Sequence, residues 1–392
     1  GKAGSGGFEY SNNFRIESTN SRPAVQRVYG PTTLAGSTLG SFQYFGAPYA
    51  TGTTMYDNVN GFFREALTQK HNLSFSGAAA DGRVNYYIST SADKQEGVIP
   101  NADYSRINLT GRSQAQVNRW LKVDVSMAYS NANNNQTLKG EGGPLLGLLA
   151  WPATDNAKDY ITPAGTRRRL TALAQASEID NPYFSVNKNT NNSKNSRLIV
   201  NAGVLISAFS WGEIKSRIGV DGYTNQLAVL RNPESAVGYS FNGVLDQADD
   251  IVRNINAQTL LNIHPRSVGR NFSVSGFVGH AVADNRSTTD ALLGENFLDP
   301  NFVSVNNTSL RTSRTTLSQR RLVSLFGSAS VDYRKYLYMT VTGRNDWTST
   351  IPEDKNSFFY PSVSAAYVLS DAFPSIGRFM TGKVRAAYAE VG

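Results

Sequence analysis

Cysteine is absent from all 392 residues, which excludes disulfide frameworks, thiolate zinc sites and cysteine nucleophiles. Long hydrophobic runs are missing as well. No stretch approaches the ~18 apolar residues of a membrane-crossing helix, so helical insertion is excluded. Strands that alternate apolar and polar residues escape that test, and a transmembrane barrel stays open. Histidine is scarce: His71 and His280 read as strand positions, His264 as a turn position, and none has a partner at metal-ligand spacing. Charge is unclustered. The net +8 comes from 38 Lys+Arg against 30 Asp+Glu, and the only dense run, Arg167-Arg168-Arg169, is too short for a nucleic-acid-binding face. The glycine-rich start, residues 1–7, lacks both the apolar core of a signal peptide and the spacing of a phosphate-binding loop. No Gly-x-Ser-x-Gly elbow occurs, and no carboxylate pair can be matched to glycosidase chemistry. Asp249-Asp250, Asp155 and Asp159 offer oxygens of the kind Ca²⁺ takes, but solvated loop charge is the simpler reading. The expectation is no enzyme, no cofactor and no metal.

What is present points to strands. The hydrophobic share is 40%, with 19 Tyr, 19 Phe and 34 Gly, and Asn, Ser and Thr are used heavily. These are strand, turn and loop residues. Period-two segments recur: Leu121, Val123, Val125, Met127 and Tyr129 fall on one face, and Lys122, Asp124, Ser126 and Ser130 on the other. Leu198 to Ala208, Phe272 to Val282 and Val323 to Tyr333 repeat the pattern. Further strands read at 8–18, 68–77, 83–91, 104–115, 214–226, 251–263, 337–346, 358–369 and 383–391. That makes about thirteen, mostly near the ~9–11 residues that cross a bilayer at barrel tilt and above the ~5–6 of ordinary globular strands.

The connections alternate. Long ones at 19–67, 92–103, 131–196, 227–250, 283–320 and 347–357 trade places with tight ones at 80–82, 116–120, 209–213, 264–270 and 334–336, and a looser one at 370–382. An up-and-down membrane barrel has that asymmetry, with short periplasmic turns and long extracellular loops. A soluble sandwich or propeller has no reason to keep the phase, and no fixed repeat supports a solenoid. The competing reading is a soluble secreted β-rich, lectin-like binding protein. Trp120, Trp211, Tyr333 and Tyr336 fall at short-turn ends and Trp347 at a long-loop end, where a barrel keeps its interfacial aromatics. In this register Leu121, Val123, Val125 and Tyr129 face lipid, while Lys122, Asp124 and Ser126 face the lumen. Loop aromatics Tyr44, Phe45, Tyr49, Trp151, Tyr183 and Phe184 suit sugar faces or peptide backbones; packing the loops together is the plainer role for each.

A family resemblance rests on Val341-Thr342-Gly343-Arg344-Asn345-Asp346-Trp347-Thr348-Ser349-Thr350 followed by Ser357-Phe358-Phe359-Tyr360-Pro361-Ser362-Val363-Ser364. Residues 68–77, 84–87, 95–98, 103–106, 219–223 and 383–392 extend it along nearly the whole chain. In this combination the sequence resembles the SusC/RagA family of TonB-dependent importers, with Gly343, Arg344, Asn345, Asp346, Trp347, Phe359, Tyr360 and Pro361 as the motif. The resemblance implies an all-β, antiparallel up-and-down transmembrane barrel in the outer membrane of a Gram-negative bacterium. About thirteen strands of a 22-strand type would be present. It also implies uptake of glycan or peptide fragments, a SusD-like surface lipoprotein as lid, and energy from the TonB complex. Residues 1–7 then read as the exit from a plug domain and 8–392 as an incomplete barrel, with plug and remaining strands on sequence not shown. A fragment open at both edges is expected not to transport alone.

Overall fold

The computed structural model describes residues 6–32, 42, 44–170 and 179–391. One antiparallel sheet of thirteen strands dominates it, and every strand in it pairs with the next along the chain. In chain order the strands are β1 (Gly6–Glu17), β2 (Tyr29–Pro31), β3 (Tyr44–Pro48), β4 (Ala66–Ala78), β5 (Val84–Glu96), β6 (Asp103–Gln116) and β7 (Leu121–Gln136). They continue with β8 (Thr190–Phe209), β9 (Gly212–Arg231), β10 (Val244–Val268), β11 (Phe272–Phe297), β12 (Thr308–Tyr333), β13 (Leu337–Thr348), β14 (Ser357–Val368) and β15 (Lys383–Ala389). β2 and β3 form a separate hairpin inside the first long connection, so β1 pairs with β4. The large sheet is an up-and-down wall.

The thirteen expected strands all form, but several run further than their apolar alternation. β10, β11 and β12 reach 25 and 26 residues. The expected loop at 283–320 therefore shrinks to 298–307 and that at 227–250 to 232–243. The extensions are polar on both faces (Arg311-Thr312-Ser313-Arg314-Thr315-Thr316, for instance), and such residues show no strand periodicity until neighbours hydrogen-bond them. For the same reason His264 and Asp249-Asp250 lie in β10 rather than in a turn or loop. The phase of the connections holds: 18–65, 97–102, 137–189, 232–243, 298–307 and 349–356 gather at one end. Connections 79–83, 117–120, 210–211, 269–271, 334–336 and 369–382 gather at the other. Short-end aromatics pack against one another, Phe272–Tyr333 tilted and Tyr333–Tyr336 and Tyr336–Tyr367 edge to face, with ring centroids 4.9, 5.5 and 5.6 Å apart.

Packing within the sheet departs from that of a soluble domain. Apolar side chains along its middle, such as Phe8, Ile88, Val125, Leu198, Val278, Leu325, Val341 and Phe359, are exposed. The buried apolar clusters among the described residues lie instead at the long-connection end. One joins Leu230, Leu245, Phe297 and Val305; the other joins Phe62, Leu148 and Val186.

Candidate functional site

Antiparallel register places facing residues on one side of a sheet, so the two faces can be followed strand by strand. One row runs Gln114, Asp124, Gly203, Arg217, Gln258, Ala281, Ser324 and Asp346. The row beside it runs Arg112, Ser126, Asn201, Gly219 and Asn256. This face is concave, because a single cavity of about 630 Å³ is lined at once by Asp124 and Ser126 of β7, Arg217 of β9, Gln258 of β10 and Arg344 of β13. Ion pairs cross it. Asp93 lies between Lys70 at 3.7 Å and Arg106 at 3.3 Å, and the Arg197 guanidinium donates two bonds of 2.8 and 2.7 Å to Asp221. The convex face carries the complementary set: Leu121, Val123, Val125, Met127 and Tyr129 alternate with Lys122, Asp124, Ser126 and Ala128.

The sequence motif at 343–347 divides between the two faces. Arg344 and Asp346 point to the concave side. The Arg344 guanidinium donates to Asp346 at 2.7 Å and to the Ser324 hydroxyl at 2.9 Å, and its centre lies 5.3 Å from the Phe326 ring. Trp347 and Asn345 take the convex side with Phe359, the register partner of Asn345. Gly343 faces Pro361, and a Cβ there would stand 3.3 Å from the Phe359 ring, so the small residue lets that ring lie flat on the wall. Tyr360 pairs with Arg344 on the concave face. The motif braces the long-connection end of the wall.

Above the wall the long connections fold into a cap. Three short helices, α1 (Asn58–Phe62), α2 (Pro144–Ala150) and α3 (Pro182–Lys188), bring the connections 18–65 and 137–189 together. Asn181 caps α3 by accepting from the Tyr183 and Phe184 amides, with Pro182 at the first helical position. A buried polar lattice ties in the third connection, 232–243. Arg167 and Asp180 stand 3.3 Å apart with side chains 1% and 4% exposed, Asp180 accepts from the Ser235 hydroxyl and the Ala236 amide, and Arg167 donates to the Glu234 carbonyl. Within the low dielectric of the cap each of these groups has a partner, the condition for burial.

The expected loop aromatics distribute unevenly. Phe184 is fully buried and Trp151 nearly so, with the Trp151 indole donating to Asp155 at 2.8 Å and its ring centroid 5.7 Å from that of Phe42. Both are cap core, not ligand surface, a correction that follows from their packing. Tyr183 is half-buried; its hydroxyl donates to the Gly61 carbonyl at 2.8 Å, and burial raises its pKa. Tyr49 is half-buried at the β2–β3 hairpin and Phe45 beside it is exposed. Tyr44 starts β3, and its side chain lies outside the described residues. The arginine run is split three ways: Arg167 enters the core, Arg168 pairs with Asp155, and Arg169 lies over Tyr239. Asp155 is thus committed to Trp151 and Arg168. Among the described residues no group of three or more His, Cys, Asp or Glu is placed to hold a metal.

No model of a known protein family matches the sequence. Two curated relatives are TonB-dependent receptor P3 and TonB-dependent receptor P26 of Formosa agariphila. They are 22% identical over 89% and 90% of this chain, which spans 35% and 36% of their own length. Among solved structures, the RagAB peptide importer in its open-open state superposes with a TM-score of 0.63 at 17% identity, covering 99% of this chain and 47% of the importer chain. A second structure, of the RagAB peptide transporter, gives 0.60 at 18% identity over 86% of this chain and 38% of the other. The chain therefore spans about a third of the curated relatives it matches. Its thirteen-strand wall has the fold of the Gram-negative outer-membrane barrels to which TonB-dependent receptors of the SusC/RagA type belong.

Proposed function

We propose that this chain is the wall of a TonB-dependent, SusC-like importer that brings peptide or glycan fragments across the outer membrane. The observation that carries the reading is the inversion of the sheet: its apolar rows stay exposed while Asp124, Arg217, Asp221, Asn201, Asn256 and Gln258 line one concave cavity. A wall with oil outside and water inside encloses an aqueous passage. In this reading Leu121, Val123, Val125 and Tyr129 contact lipid, and Lys122, Asp124 and Ser126 line the passage; the expected plug exit at residues 1–7 falls mostly outside the described residues. The work done is binding and gating rather than bond chemistry. The cap presents substrate-contacting aromatics through Tyr49 and Tyr183, with a SusD-like lipoprotein above it and the TonB complex acting from the periplasm. The relatives' names support the TonB link, and the RagAB structures favour peptide over glycan as first cargo to try.

The test uses the absence of cysteine from these 392 residues, with any cysteine elsewhere in the full-length protein replaced by serine. In the full-length protein, Glu141→Cys in the cap should react with a membrane-impermeant maleimide on intact cells, and Arg270→Cys in a short turn should react only after permeabilisation. A strain lacking the gene should also lose uptake of fluorescent oligopeptides. Equal labelling at both positions, or uptake unchanged, would count against the importer.

A further inference from the structure

The convex face changes character abruptly near its long-connection end. Along β12 it reads Tyr333, Val331, Ala329, Gly327, Leu325 and Val323, then Arg321. The ten residue steps from Tyr333 to Val323 make about 34 Å of strand, or roughly 24 Å of height at barrel tilt, close to the apolar band of an outer-membrane barrel. Trp347, the register partner of Val323, marks the upper edge as an interfacial aromatic does. Immediately above that edge three arginines converge from three strands. Arg321 faces Asp284 across β12 and β11, and Arg253 faces Arg286 across β10 and β11.

Their bonding is unequal. Arg321 grips Asp284, with Nε and Nη2 at 2.7 and 2.6 Å from Oδ2. Arg253 comes only to 3.9 Å of Oδ1, which has no hydrogen-bond partner although it is buried. Arg286 is exposed and makes no hydrogen bond or ion pair to the described residues. Three arginines against one carboxylate leave a surplus of two positive charges. Like charges set directly opposite on a sheet are destabilising on their own. A bound anion removes that repulsion, and arginine forks match phosphate oxygens two at a time.

We propose that Arg253, Arg286 and Arg321 hold the phosphate of a phosphorylated lipid headgroup in the outer leaflet. The inference rests on the membrane-barrel reading, since it places these side chains at headgroup height on the lipid side. A lipid is favoured over a free anion by position: the apolar rows below the cluster take the acyl chains of the same molecule, so one ligand satisfies both surfaces. Asp284 acts as a positioning residue that holds Arg321 upright against the wall.

The experiment uses the full-length protein in detergent with a defined probe, a phosphorylated disaccharide lipid, and the same lipid after dephosphorylation. Native mass spectrometry should show the phosphorylated lipid bound to the wild type, with at least about tenfold weaker binding to Arg253→Gln/Arg286→Gln, in line with the attraction of basic side chains to anionic headgroups. Arg286→Gln alone removes a side chain that bonds to none of the described residues, so its smaller loss of lipid is read on a protein expected to fold. Equal binding of the dephosphorylated lipid, undiminished binding by the double variant, or displacement by millimolar inorganic phosphate would each overturn the proposal. Quenching of Trp347 fluorescence by brominated acyl chains separates the two failures. A quenched Trp347 with an indifferent double variant sinks only the headgroup site, whereas an unquenched Trp347 sinks the membrane reading beneath it.

Discussion

The wall and the cap solve the burial problem in opposite ways. In the cap, Phe184, Leu148, Phe62 and Val186 are hidden from solvent, and the charged pair Arg167–Asp180 is buried together with its bonds to Glu234, Ser235 and Ala236. In the wall, Val125, Met127 and Tyr129 are left bare and the ion pairs Arg197–Asp221 and Lys70–Asp93 sit on the inner face. The cap is organised as though water surrounded it and the wall as though hydrocarbon did. One chain thus carries two solvents' worth of design, with the boundary near Trp347 and Arg321. Each region can be challenged separately.

The largest effect should come from the cap core. Phe184→Ala removes a ring with no exposed surface and is expected to cost about 3–5 kcal/mol of cap stability. Hydrogen exchange should rise across α2 and α3 while β7 to β12 stay protected. Spread of the loss into those strands would mean that cap and wall are one cooperative unit. Next, Val125→Arg on the convex face should cost roughly 2–4 kcal/mol in bilayer refolding, whereas Thr110→Arg on the concave face should cost less than about 1. Similar costs for the two would erase the distinction between the faces.

The smallest effect belongs to Asp57, which caps α1 by accepting from the Asn60 amide. Hydrogen bonds from the Asn60 side chain and then its backbone hold the Asp57 carboxyl below the usual carboxylate range; burial opposes them, and Arg27 and Arg22 add to the lowering. A depressed folded value means that its stabilisation is present above the unfolded value, about 3.9, and fades as pH falls through the lower folded one. Asp57→Ala should cost about 1 kcal/mol at neutral pH and remove that acid-side dependence, as read from proteolysis of the cap between pH 5 and pH 2. A steeper acid profile in the variant would contradict the assignment.

Much of the wall was legible beforehand because strand periodicity is local. The alternation from Leu121 to Ser130 named both faces of β7, and the phase of long and short connections showed which ends gather together. The polar strand extensions were illegible: Thr312 to Thr316 has no alternation, and only neighbouring strands turn it into sheet. The cap was harder. Trp151 and Phe184 read as binding aromatics because an aromatic in a long loop looks alike whether presented or buried. Asn181-Pro182 is a helix-start pattern that a reading built on strand alternation passed over, and Arg167 was visible only as part of a basic run whose three members have three different partners.

The sequence alone determined the two-faced strands, their number and their up-and-down order, since these depend on residues one and two apart. Tertiary structure decided which loops fuse into a cap, which aromatics are sealed inside it and where three arginines meet above the apolar band. Those outcomes depend on register and on contacts between segments tens of residues apart, and no local pattern encodes them.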